Sequence, residues 1–168
     1  MNNSEKKLRT KIKMLIWAFV ILLILSGLTA FPIQWQVDFL NDHFAFVKVD
    51  NFIGKWFTLV REGIIETNNK YPFIFYGTDW LAFAHIVIGV AFVGPLRDPV
   101  RNVWVIQFGM ISCLLVLPLA FICGPIRGIP FFWTLIDCSF GIFGIIPLWF
   151  CYKLIRELEL NDKRYQLK

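Results

Sequence analysis

Three ionisable side chains, Asp79, His85 and Asp137, stand inside long apolar runs of the 168-residue sequence. A charge at the centre of a bilayer costs about 2.5–3.5 kcal/mol on insertion scales, so each of the three needs a polar partner, a neutral form or a task. Asp79 lies about five residues from the start of its run and Asp137 about seven from the start of its own. At about 1.5 Å per helical residue, the two carboxylates sit at similar depth. Arg127, in the short link before the second of these runs, could reach either one by bending inward. The grouping predicts a polar pocket of Asp79, Asp137 and Arg127 open to the outer side, with His85 deeper. Such a pocket could bind a cation, relay a proton or hold the head of a small lipid or quinone. The plainer expectation is an interhelical contact, in which Arg127 neutralises one Asp and Thr or Trp donors satisfy the rest.

Spacing narrows where these groups point. Thr134, Asp137, Gly141 and Gly144 fall on one helical stripe, and small residues on a stripe let helices approach closely. Asp137 is therefore expected to face other helices. His85 shares a second stripe with Thr78, Ala82 and Gly89. Asp79 and His85 are six residues apart, roughly 120° around a helix, which argues against a local dyad. Gln107 adds a polar group to a third apolar run.

Other chemistries find little support. The sequence has two histidines, and His43 lies far from His85. That is too few converging ligands for a mid-membrane metal or a bis-histidine haem, and no metal or other cofactor is expected. Cys113, Cys123, Cys138 and Cys151 form no C-x-x-C pair and read as small packing residues. Glycine-rich phosphate loops, nucleophile elbows and H-E-x-x-H are missing. The net charge of +5 does not imply nucleic acid, because the basic residues gather at the ends of apolar runs.

The elements that must position these groups follow from composition. Hydrophobic residues make up 57% of the chain and charged residues 17%, against about 45–50% and about 25% in soluble domains. The reading is an all-α integral membrane protein forming one membrane domain, with four transmembrane helices at 14–32, 74–94, 103–123 and 130–152. Each approaches the roughly 20 residues that cross about 30 Å of hydrocarbon, where a helix satisfies its own backbone polar groups. A basic head (1–13) precedes the first span, which reads as an uncleaved helix because Leu28 is large where a signal cleavage site wants a small residue. Gly94-Pro95 is expected to end the second span, and Pro118 to kink the third near its outer end.

The links are 33–73, 95–102 and 124–129, with a charged helical tail at 153–168. Within 33–73, Phe52, Ile53, Trp56, Phe57 and Val60 recur on one face, predicting an amphipathic helix at about 50–65 with Asp50 as its N-cap. It is too short to span. It is expected to lie in the outer interface or to pack across the mouth of the bundle.

Two features orient the chain. Of 17 Lys and Arg, 12 fall in the head, the 95–102 link and the tail, and five, including Lys48, fall on the opposite side. The positive-inside rule places both termini in the cytoplasm. Trp17, Trp104 and Trp149 then mark the inner boundary, and Trp35, Trp80 and Trp133 the outer one.

The composition resembles that of a bacterial inner-membrane protein, so the cytoplasmic membrane is the expected location, with the lipid bilayer and other membrane subunits as partners. Oligomeric state stays open. Three classes of function fit: a non-enzymatic accessory or scaffold component with a buried polar site, a small proton- or ion-coupled carrier, or an enzyme of lipid or isoprenoid chemistry using Asp79, His85 or Asp137 as acid and base.

Overall fold

A computed structural model describes residues 3–44 and 49–166. Lys48 and Lys168, counted in the charge asymmetry, lie outside these residues. The chain is all-helical, 88% helix, without strands among the described residues. Among the described residues the α-helices are, in order, α1 (Asn3–Leu28), α2 (Ile33–His43), α3 (Phe52–Lys70), α4 (Tyr76–Ala91), α5 (Val93–Arg97), α6 (Val103–Ile126) and α7 (Phe131–Gln166). A 3-10 turn, Pro72–Phe75, leads into α4. Four stretches are long and apolar enough to cross a membrane: Ser4–Leu28, Pro72–Arg97, Val103–Ile126 and Phe131–Asn161.

The contacts divide the chain into two compact units, one containing the chain up to Ile21 and from Val90 onward, the other Leu22–Gly89. The first unit is organised by the antiparallel α6–α7 hairpin. Its turn closes because the last carbonyls of α6 find donors: Arg127 N–H bonds the Cys123 and Gly124 oxygens, and Ile129 N–H bonds Gly124 O at 2.9 Å. Gly128 at the turn has φ +69°, the left-handed region that glycine enters without steric cost. Along the hairpin, Gly141 abuts the Cys113 carbonyl and Gly144 lies against Cys113 Sγ, so small residues let the two backbones approach. Gly109 opens a hollow filled by Leu148 and Phe92, and Phe92 meets Phe19 of α1 at a ring distance of 4.9 Å.

Phe19 also reaches Gly144, which sets α1 beside α7. Toward the chain ends, Ile16, Ile12 and Leu8 on α1 are buried, and so are Leu148, Cys151, Ile155 and Leu158 on α7. The three-and-four spacing of both sets makes a continuous apolar stripe. The basic head is thus helical from Asn3 and contributes core residues through Leu8 and Ile12. At 36 residues, α7 is about 54 Å long, well beyond a hydrocarbon core of about 30 Å.

Two local expectations are corrected. The cap of α3 is Asn51, whose side chain accepts from Gly54 N–H at 2.8 Å. Asp50 stands one residue too early, and its carboxylate meets Lys55 Nζ at 3.0 Å instead. Gly94-Pro95 does not end a helix: both residues lie inside α5. Proline is tolerated there because the first-turn N–H groups of a helix have no intrahelical acceptor. The break comes earlier, at Phe92, between α4 and α5. Helix α6 contains Pro118 and Pro125, which cannot donate to the Leu114 and Phe121 carbonyls.

The second unit holds the remainder of α1, then α2, α3, the 3-10 turn and α4 to Gly89. Helix α2 had no counterpart in the sequence reading, which assigned structure only to the second half of 33–73. Gln36 ties it to the end of α1 by donating to the Leu28 and Phe31 carbonyls at 3.0 and 3.1 Å. Gly27 sits directly under His85: a Cβ added there would come 2.5 Å from His85 Cβ.

A polar cleft in the second unit

The residues singled out from the sequence fall in both units. Thr78, Asp79 and His85 belong to the second. Gln107, Arg127, Thr134 and Asp137 belong to the first.

In the first unit these four have separate surroundings. Thr134 is 3% exposed, lies against Gly124 and bonds its own Pro130 carbonyl, so its hydroxyl is spent within the hairpin turn. Arg127 closes α6 with its backbone while its side chain is exposed. Among the described residues no ion pair joins it to Asp137. Gln107 is exposed on α6. Asp137 is half-buried, on the margin of the stripe whose centre is formed by Thr134 and Gly141.

The second unit builds a cleft of about 450 Å³ from α2, α3 and the start of α4. Its walls include Gln34, Trp35 and Asp38 from α2, Asn68 from α3, Phe75 from the 3-10 turn, and Thr78 and Asp79 from α4. Local chemistry explains how each wall is held. Asp38 and Arg61 join α2 to α3, with Arg61 Nη2 2.9 Å and Nε 3.0 Å from Asp38 Oδ1. One helical turn or more away, Asn68 Nδ2 donates to Gln34 Oε1 at 2.5 Å. These two cross-links fix the register of α2 on α3. Thr78 turns its proton back to the Phe75 carbonyl at 2.7 Å, which pins the 3-10 turn to α4.

Asp79 lies in the first turn of α4, where the unpaired amide groups of the helix start favour a negative charge. Among the described residues no hydrogen bond or ion pair occupies its carboxylate. His85, two turns along, is not a wall of this cleft; its Nδ1 lies 2.7 Å from the Leu81 carbonyl, which makes Nδ1 the donor and leaves Nε2 as the acceptor. Asp79 and His85 thus serve different surroundings, in keeping with their angular separation on one helix.

Gln34, Trp35, Asp38 and Asn68 were not anticipated as site residues. Their partners lie 23 and 34 residues away in the sequence, and no local pattern announces such pairs. The one available signal was that α2 and α3 each carry polar side chains at three-and-four spacing: Gln34 and Asp38, then Arg61 and Asn68 seven apart.

The Asp38–Arg61 pair carries its own prediction. Both side chains are about one-third exposed (36% and 34%), so solvent screens the pair and its worth is about 1 kcal/mol. Arg61→Ala is expected to leave the Tm of the whole protein almost unchanged while speeding amide exchange in α2. Unaltered exchange there would mean that other contacts hold α2 in place.

Comparison of the chain with protein-family models, with curated proteins and with solved structures gives no match.

Proposed function

We propose that this chain is a four-span integral membrane protein of a bacterial cytoplasmic membrane, with both termini inside, acting as a non-enzymatic accessory or scaffold component that presents a polar site between its helices. The observation that carries the reading is the exposure of the spans. Ile21, Leu22 and Leu25 on α1, Val87 and Val90 on α4, Leu114, Leu115 and Leu119 on α6, and Ile142 and Phe143 on α7 are all exposed. Exposed apolar side chains along every one of the long helices suit water poorly, since monomeric proteins rarely expose more than a few hundred Å² of apolar surface in one patch. They suit lipid, or the helices of other membrane subunits. The inside placement of the termini rests on the charge asymmetry and the two tryptophan sets.

Within this reading, α2 and α3 lie on the outer side as a cap fastened by Asp38–Arg61 and Gln34–Asn68. A cap held by specific polar cross-links keeps a fixed surface, which is what a partner or ligand requires. The second reading, an ion-coupled carrier, draws on Asp137, whose half-buried carboxylate has no donor from its own unit among the described residues.

The test combines topology with partner capture. Single cysteines introduced at Lys7 and at Lys70 in a background lacking the four native ones are expected to label oppositely with an impermeant maleimide: Lys70→Cys from outside intact cells, Lys7→Cys only after lysis. Crosslinking in the native membrane should then recover one reproducible membrane partner. Labelling of both sites from one side would overturn the topology. A pH-driven ion flux in proteoliposomes that Asp137→Asn abolishes without changing the Tm would replace the scaffold with the carrier.

A further inference from the structure

The cleft between α2, α3 and the start of α4 gathers free acceptor oxygens beside the remaining N–H groups of Gln34, Asn68 and Trp35. Arg61 places Nε and Nη2 on Asp38 Oδ1, which leaves Oδ2 without a bond among the described residues. Asn68 gives an amide hydrogen to Gln34 and retains its own Oδ1. Thr78 has spent its single proton on Phe75, so its hydroxyl oxygen can only accept. The Asp79 carboxylate is unengaged among the described residues. Two carboxylates thus border the space against one guanidinium, which is not itself part of the wall. Trp35 and Phe75 add aromatic surface to the same walls.

We propose that this cleft binds a primary ammonium group. A primary ammonium brings three N–H donors and one positive charge, which match the free oxygens of Asp79, Asp38, Thr78 and Asn68. The rings of Trp35 and Phe75 suit the carbon next to the nitrogen and attract the cation through their π faces. A quaternary ammonium would use the rings but leave the oxygens dry. A bare metal ion finds no cluster of three or more His, Cys, Asp or Glu among the described residues. The volume of about 450 Å³ falls within the range of small-ligand sites, about 300–1,000 Å³.

Two sources present this chemistry: the ethanolamine head of a membrane lipid, and a water-soluble amine. Only the lipid source rests on the membrane reading of the chain; the ammonium chemistry does not.

The experiment uses the full-length protein purified in a neutral detergent. Native mass spectrometry with added phosphatidylethanolamine, phosphatidylcholine or phosphatidylglycerol reads lipid retention, and calorimetric titration with ethanolamine reads the soluble amine. Phosphatidylethanolamine is expected to be retained at least about tenfold over the other two. Asp79→Asn, which keeps shape and removes the charge, should erase that preference, since a charged hydrogen bond accounts for about tenfold or more in affinity. If Asp79→Asn proves unstable, Trp35→Leu at its exposed position supplies the same test through the aromatic wall. Retention of the ethanolamine lipid without binding of free ethanolamine assigns the lipid head as the source, and binding of both assigns amines in general. Equal retention of all three lipids with no binding of ethanolamine, or retention unchanged in both variants, overturns the proposal. None of these outcomes alters the cysteine-labelling result, so the ligand and the topology stand or fall separately.

Discussion

Gly141→Leu is expected to prevent the α6–α7 hairpin from closing, and Gly141→Ala alone should lower the Tm in detergent. A Cβ at this position collides with the Cys113 carbonyl oxygen, a backbone atom that no rotamer change can move aside. Relief requires α6 and α7 to separate, which breaks the packing of Cys113 on Gly144 and of Leu148 and Phe92 on Gly109. Overpacking of this kind costs about 1–3 kcal/mol for one methyl group. In a chain of this size each kcal/mol shifts the Tm by about 2–4 °C. The matched control is Gly63→Ala on α3, where nothing lies within 4 Å of the added Cβ. Removing glycine from a helix interior is worth about 0.5–1 kcal/mol, so this variant should melt at or slightly above wild type. Scanning calorimetry or tryptophan fluorescence of the two variants side by side decides the matter. Equal melting temperatures would mean that the close approach at Gly141 is absent from the folded protein.

Ile12→Asp should release the amino-terminal end of α1 from the body of the first unit. Ile12 is 0% exposed, although it sits between Lys11 and Lys13 in the basic head. Truncating a buried isoleucine costs about 2–5 kcal/mol. Placing a carboxylate in the same space adds the penalty of an unpaired buried charge, several kcal/mol more. The loss should stay local, since the close contacts of the α6–α7 hairpin at Gly141 and Gly109 do not involve Ile12. The expected readout is rapid tryptic cleavage at Lys11 and Lys13, with the remainder of the protein intact. Thr10→Asp makes the same charge change at an exposed position, keeps both cleavage sites and should stay as resistant as wild type. Equal resistance of Ile12→Asp and wild type would show that Ile12 is not packed in solution.

The two variants mark the border between what local sequence states and what it leaves out. The long apolar runs were legible by length and composition, since about 20 apolar residues match the hydrocarbon of a bilayer, where only a helix can satisfy the backbone of a single segment. The isolated acids in those runs were legible for the same reason, since any charge there is conspicuous. The stripe Thr134, Gly141, Gly144 was visible as small residues at helical spacing, and Gly141 and Gly144 do meet α6. The packing role of the basic head was not legible, because the charges at Lys6, Lys7, Arg9 and Lys11 surround two apolar residues, Leu8 and Ile12, at the four-residue spacing that packs. Their neighbour α7 lies more than a hundred residues along the chain.

The sequence by itself determined that this protein is built of helices, that four of its segments are long and apolar enough to cross a membrane, and that Asp79, His85 and Asp137 need special surroundings. Lipid-length apolar stretches leave the backbone no other solution. Only the tertiary structure decided which groups share those surroundings. Asp79 lines a cleft with Asp38, Gln34 and Asn68, whereas Thr134 spends its hydroxyl on its own helix turn. The reason is physical. In the long apolar helices the packed and the exposed faces are both apolar, so periodicity does not reveal which side meets its neighbour. Outside the spans, the pairs that fasten α2 to α3 are 23 and 34 residues apart, and folding alone brings them together.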